Sequence, residues 1–176
     1  HAAGTTSNIY KNKVYDLQGS NASSTMNGIQ VSGGTTVNVY NNYVGDLRLT
    51  TANAAIPLAG INISGGTTVN AYYNTVYLNA SSTGALFGSA ALYASSSTAL
   101  TLKNNVLVNT STPTGATGFT AAYRRTTTTL TSYGATSNSN DFYAGAPGAN
   151  NVIFYDGTNS DQTLAAYKSR VATRDG

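Results

Sequence analysis

The stretch GIQVSGGTTVNVYNNYVGDL, beginning at Gly28, returns from Gly60 as GINISGGTTVNAYYNTVYL. Repetition in phase constrains the fold more tightly than composition does, because a period of about 20 to 50 residues marks a solenoid, a propeller or an array. Aligned on the second Asn of each Asn-containing turn, the copies have anchors at Asn12, Asn42, Asn74, Asn105 and, more loosely, Asn140, with spacings of 30, 32, 31 and 35 residues. The phrase before the anchor reads TTSNIYKN from Thr5, TTVNVYNN from Thr35 and TTVNAYYN from Thr67. A fourth copy, TALTLKNN from Thr98, keeps the alternation and loses the letters.

Within each copy apolar and polar residues alternate, as in Val37-Asn38-Val39-Tyr40 and Leu100-Thr101-Leu102-Lys103, which is the signature of half-buried strands. A second strand is expected at Gly28 to Val31, Gly60 to Ile63 and Ala91 to Ala94, and a third directly after the anchor, as at Val44-Gly45 or Val106 to Val108. Three short strands per repeat of about 31 residues predict an all-β chain: a single-stranded parallel β-helix of about five coils, stacked at ~4.8 Å. Stacking then aligns Val37, Val69 and Leu100 in one inner column and the Asn anchors in another, where their amides can satisfy one another and the nearby backbone. A propeller blade needs about 40 residues and four strands, so these repeats are too short for one.

The repeats are assigned to residues 1–159, and residues 160–176 to a C-terminal cap. Ser160-Asp161 is expected to open a helix from Gln162 to Thr173, with Leu164, Tyr167 and Val171 inward and Lys168 and Arg170 outward. Both ends of the chain read as cuts through a longer polypeptide, so adjoining domains of the same chain are expected partners. End-to-end stacking through an uncapped first coil is a further expectation, giving a homo-oligomer or fibre.

Charge narrows the function classes. Six Asp, no Glu and nine Lys or Arg give +3, with one adjacent basic pair, Arg124-Arg125. No basic stripe interleaved with aromatics suggests nucleic acid. No apolar run reaches the ~20 residues of a membrane span, and no signal peptide opens the chain. Without cysteine, thiolate chemistry and disulfides are excluded. The bias to Asn, Thr, Ser, Gly and Tyr points to an extracellular or bacterial cell-surface protein.

The T-x-N-x-Y-x-N phrase and the Asn corners, TLKNNVLVNTS at Thr101 included, resemble right-handed parallel β-helix repeats similar to those of pectate lyases, found in large secreted or cell-surface bacterial proteins. The resemblance covers about residues 4 to 155 and implies the handedness and an architecture shared by lyases, hydrolases, adhesins and spacers. In that family acidic clusters on a strand face carry calcium or acid/base work. Asp16 and Asp46 are the candidates here for a catalytic or metal site, since both lie four residues after their anchors and are expected to stack on adjacent coils. A coupled carboxylate pair or a hard cation such as Ca²⁺ would follow from that placement. The next coils carry Leu78 and Asn109 instead, and the competing reading makes each Asp a turn cap with Lys13 and Arg48 as counterions. No cofactor is otherwise expected. A lyase would also need a base, for which Lys103 and Arg124-Arg125 are the candidates on the regular coils.

The outward positions of the first strand form a stripe: Thr6, Asn8, Tyr10; Thr36, Asn38, Tyr40; Thr68, Asn70, Tyr72; then Thr101 and Lys103. Aromatic rings flanked by amides and hydroxyls can stack on sugar rings and bond their hydroxyls. The ligand-binding candidates are therefore Asn8, Tyr10, Asn38, Tyr40, Asn70, Tyr72 and Lys103, and the expected ligand is a polysaccharide. The same ladder also stabilises parallel strands without any ligand. The functional expectation is a structural or adhesive module with polysaccharide recognition; the alternatives are a lyase or glycoside hydrolase fragment and a stacking fibre subunit.

Overall fold

The computed structural model describes residues 1–95 and 98–175. The alternating phrase of each repeat becomes a strand, and five coils wind in parallel. Coil one comprises β1 (Thr6–Tyr10), β2 (Lys13–Val14), β3 (Leu17–Gly19) and β4 (Met26–Val31). Coil two comprises β5 (Thr36–Tyr40), β6 (Tyr43–Gly45), β7 (Leu47–Leu49) and β8 (Ala54–Ile63). β9 (Thr68–Tyr72), β10 (Thr75–Leu78) and β11 (Phe87–Ala94) form coil three, and β12 (Ala99–Lys103), β13 (Val106–Asn109) and β14 (Thr120–Arg125) form coil four. β15 (Asp141–Tyr143) and β16 (Asn151–Tyr155) complete coil five, followed by β17 (Ser160–Asp161) and the helix α1 (Leu164–Val171).

Among the described residues, three sheets of four to six strands run along the solenoid, beside the two-stranded sheet β3-β7. Sheet one is β1-β5-β9-β12, sheet two is β15-β13-β10-β6-β2, and sheet three is β17-β16-β14-β11-β8-β4. Identical sequence positions pair with one another: Asn8 with Asn38 with Asn70, and Tyr10 with Tyr40 with Tyr72. Val37, Val69 and Leu100 stack as one fully buried column, as the alternation predicts.

The corners explain why the anchors are Asn. Lys11, Asn41, Tyr73, Asn104 and Ser139, each directly before an anchor, adopt left-handed backbone with φ of 54° to 60°. That turn aims the following Asn side chain into the core, where Asn42, Asn74 and Asn105 are buried. Each anchor amide donates to the carboxamide oxygen of the next: Asn12 to Asn42 at 2.9 Å, Asn42 to Asn74 at 2.9 Å, Asn74 to Asn105 at 3.0 Å and Asn105 to Asn140 at 2.8 Å. The same oxygen also accepts the preceding anchor's backbone N–H. Its second amide N–H reaches back to a carbonyl of the coil before, as from Asn42 to Ile9 and from Asn74 to Val39. No buried polar atom of these rungs lacks a partner, which is what lets a polar column run through an apolar core.

At Gly28 and Gly60 there is no room for a side chain between sheet three and its neighbours. A Cβ on Gly60 would lie 2.3 Å from Val76 Cγ1 and 2.7 Å from the Ala91 carbonyl oxygen, and Gly28 meets Val44 and Gly60 in the same way. Further along, Ala91 and Ala122 occupy the equivalent places, and the core fills instead with the rings of Tyr123, Tyr133, Phe142, Phe154 and Tyr167.

The C-terminal end is closed. The helix spans Leu164–Val171 with Thr163 as N-cap, its hydroxyl accepting from the Ala166 N–H, so it starts later than the Ser160-Asp161 expectation. Ser160 and Asp161 pair antiparallel with β16 instead, and Asp161 holds Arg170 at 2.6 Å. Tyr167 and Val171 are buried as expected, whereas Leu164 stays exposed. Asp175 then takes the place a sixth anchor would occupy: its carboxylate accepts from Asn140 at 2.8 Å and from the hydroxyls of Tyr133 and Tyr167 at 2.6 Å each. At sheet one the irregular segment after β14 covers the β12 edge, with Ser137 Oγ accepting the Leu102 N–H. The buried Arg125 pins that segment through the Thr129 carbonyl and Ser132 Oγ.

Candidate functional site

The outward stripe forms on sheet one in the predicted register, and Thr101 and Lys103 extend it beside Asn70 and Tyr72. Its amides bond to each other. Asn38 Nδ2 donates to Asn8 Oδ1 at 3.0 Å, and Asn70 Nδ2 to Asn38 Oδ1 at 2.9 Å. This outer ladder runs opposite to the buried one, and it consumes one amide N–H of Asn38 and of Asn70. Tyr10 and Tyr40 stack with centroids 5.1 Å apart and planes 6° apart. Tyr72 turns its hydroxyl to Asn70 Oδ1 at 3.1 Å, and its partial burial raises its pKa above the ordinary phenol value. Rings stacked along the axis offer a ligand their edges and hydroxyls, so hydrogen bonding dominates what this face can do.

Asp16 and Asp46 do stack. Both have left-handed backbone, with φ of 58° and 50°, a conformation Asp tolerates better than most residues. The kink ends β2 and β6 and starts the short pair β3-β7, while β10 and β13 run on without it. At the equivalent places Leu78 and Asn109 are buried. The two carboxylates share one cation: Arg48 pairs with Asp16 through Nη2 and with Asp46 through Nη1 at 3.3 Å, all three side chains being partly exposed. A guanidinium between the carboxylates occupies the place a calcium ion or a shared proton would need. Lys13 sits over the Tyr15 ring at 4.7 Å, not beside either Asp. Among the described residues, no three His, Cys, Asp or Glu side chains are placed to hold a metal ion.

The candidate bases stand on different parts of the solenoid. Lys103 lies on sheet one, Arg125 is buried in its pinning role, and Arg124 lies on the outer side of sheet three. None of them faces Asp16 or Asp46.

Sequence reasoning missed an array around Arg124. Register places Gln30, Asn62, Tyr93, Arg124 and Tyr155 in one column. The Arg124 guanidinium lies 5.8 Å from the Tyr93 ring centre and 4.8 Å from that of Tyr155, and Phe119 stacks on Tyr155 at 4.4 Å. Burial lowers the Arg124 pKa below its ordinary value. The signal was present, since Tyr93 and Tyr155 occupy the same place in their strands, but it shows only once the last strand is stacked on the others.

The chain has no significant match among protein-family models, curated proteins or solved structures.

Proposed function

We propose that this chain is a rigid structural and adhesive β-solenoid module of an extracellular bacterial surface protein, and that sheet one recognises polysaccharide by hydrogen bonding. The observation that carries the reading is the outer Asn ladder. It locks Asn8, Asn38 and Asn70 at coil spacing while leaving one amide N–H of Asn38 and one of Asn70 for a ligand, beside the Thr and Tyr hydroxyls. A row of donors fixed by the backbone suits a polymer with repeated hydroxyls, because little side-chain entropy is lost on binding. The Arg48 bridge disfavours catalysis or calcium at Asp16 and Asp46.

Retention of the folded protein on a panel of soluble and insoluble polysaccharides tests this, with and without EDTA, beside Asn38→Ala and Tyr40→Ala and an assay for released sugar. The expected result is EDTA-insensitive retention that weakens in both variants without product. Failure to bind any polymer, or binding that both variants keep, would overturn recognition by this face. Unsaturated or reducing product would transfer the assignment to a lyase or hydrolase.

A further inference from the structure

The outward face of sheet two also carries aromatic side chains, and its rings are arranged unlike those of sheet one. Register aligns Tyr43, Thr75 and Val106 in one outward column and Gly45, Tyr77, Val108 and Tyr143 in the next. Gly45 lacks a side chain, and Tyr43 takes its place. A Cβ on Gly45 would lie 2.8 Å from the Tyr43 hydroxyl, 3.1 Å from its Cζ and 3.3 Å from its Cε1, so the ring lies along the sheet with Gly45 buried beneath it. Tyr43, Tyr77 and Tyr143 remain 39%, 42% and 50% exposed. Among the described residues no other ring stacks on any of the three, whereas Tyr10 and Tyr40 on sheet one cover each other. Their ring surfaces are therefore open to a ligand. Tyr15 stands apart, because the Lys13 ammonium lies over its ring at 4.7 Å.

We propose that sheet two, over coils two to five, is a stacking site for a neutral, extended β-1,4-linked polysaccharide, separate from the hydrogen-bonding stripe on sheet one. Spacing, shape and charge choose that occupant. Neighbouring strands are about 4.8 Å apart, close to the rise of one sugar in an extended β-1,4-linked chain, so such a chain lying along the solenoid axis sets one sugar on each coil. Successive sugars then meet Tyr43, Tyr77, the Val106 and Val108 pair, and Tyr143. The linkage makes a flat ribbon with C–H groups on its faces and equatorial hydroxyls at its edges, so the rings take the faces and the hydroxyls stay in water. An α-1,4-linked chain coils and leaves the sheet after a few sugars. Charge completes the match. Lys13 and Asp141 stand at the two ends of the first column, and no outward position of β6, β10 or β13 is charged. A polyanion finds no counter-charge there, and a neutral polymer strips no ion of its water.

Calorimetric titration of the intact chain with cellohexaose tests this, with maltohexaose as the coiled control. Saturable binding of cellohexaose is expected, at least about tenfold tighter than that of maltohexaose. Tyr77→Ala should weaken it about tenfold, while Tyr77→Phe, which keeps the ring and drops the hydroxyl, should bind as the parent does. Gly45→Ala should weaken it several-fold with every tyrosine in place, because the added methyl displaces the Tyr43 ring. Circular dichroism should be the same for all three variants, whose changes lie on the outward face. No saturation up to about 10 mM, equal affinity for maltohexaose, indifference to Tyr77→Ala, or a loss in Tyr77→Phe as large as in Tyr77→Ala would each overturn the proposal. So would tighter retention on carboxymethyl cellulose than on uncharged hydroxyethyl cellulose. Asn38→Ala reports on sheet one and Tyr77→Ala on sheet two, so a polymer that one variant releases and the other holds is assigned to its face, and the two readings fail separately.

Discussion

Replacing Asn74 by Ala probes the buried ladder at its middle. Asn74 is 1% exposed; its oxygen accepts from Asn42 N at 3.2 Å and Asn42 Nδ2 at 2.9 Å, and its amide donates to Asn105 Oδ1 at 3.0 Å and to the Val39 carbonyl at 2.8 Å. Truncation strips the partner from the Asn42 N–H and withdraws a donor from Val39, in a place water does not reach. Each unsatisfied group costs about 1–3 kcal/mol, and the small cavity adds to it, so the expected loss is about 4 kcal/mol. That is a large share of the ~5–15 kcal/mol that holds a typical domain together. At an m-value of about 2 kcal/mol/M the urea midpoint should drop by about 2 M. Asn74→Asp keeps the shape but aims an acceptor at Asn105 Oδ1 and the Val39 carbonyl, and should cost at least as much at neutral pH. Asn38→Ala, on the solvent face, should cost about 1 kcal/mol or less. An Asn74→Ala midpoint within 0.5 M (about 1 kcal/mol) of wild type, or one equal to that of Asn38→Ala, would refute the reasoning.

Tyr73 holds φ of 56° while 58% exposed, so Tyr73→Gly should raise stability by about 1 kcal/mol and Tyr73→Val should lower it, read from the same urea curves. Gly60→Ala should destabilise by about 2 kcal/mol, because the added methyl would meet Val76 and the Ala91 carbonyl, and its thermal midpoint checks this. Burial first, then the neighbouring Tyr and Asp175 oxygens, raises the Tyr133 and Tyr167 phenols well above 10.0 in the folded chain. The unfolded chain releases those protons near 10.0, so it binds fewer protons than the fold above that pH. Their contribution is fully present below pH 10.0 and falls as pH rises beyond it. Thermal midpoints taken from pH 8 to 12 (about the phenol range) should show that fall, and Tyr133→Phe with Tyr167→Phe should flatten it. Asp175→Ala should release the C-terminal segment, seen as faster amide exchange in α1 and β15 with coils two and three unchanged.

What the sequence made legible was whatever repeats. The Asn anchors, the Val37-Val69-Leu100 column and the outward Tyr/Asn stripe follow from period and alternation, and the structure places each in its expected register. Contacts made once carry no period. Asp175 joins Asn140, Tyr133 and Tyr167 across up to 42 residues, and Arg125 is buried although its type and its neighbour Arg124 suggest surface. Stacking of Asp16 on Asp46 and Arg48 as a counterion were legible; that Arg48 alone serves both, with Lys13 turned to Tyr15, depends on a left-handed kink that the letters leave open. The direction of the two ladders was also hidden, since an amide can be turned either way until its neighbours fix it.

That direction has an electrostatic consequence. In the buried ladder each amide points its nitrogen toward the C-terminal end, so the amide dipoles of Asn12, Asn42, Asn74, Asn105 and Asn140 add along one line. Their positive end meets the Asp175 carboxylate at 2.8 Å, in surroundings that hold it almost out of solvent. Each rung polarises the next, and together they offset part of the cost of burying that charge. The surface ladder of Asn8, Asn38 and Asn70 points the other way and lies in water, where screening mutes it. The solenoid therefore has a net internal field along the Asn corner, and the one carboxylate at its far end acts as the counter-charge.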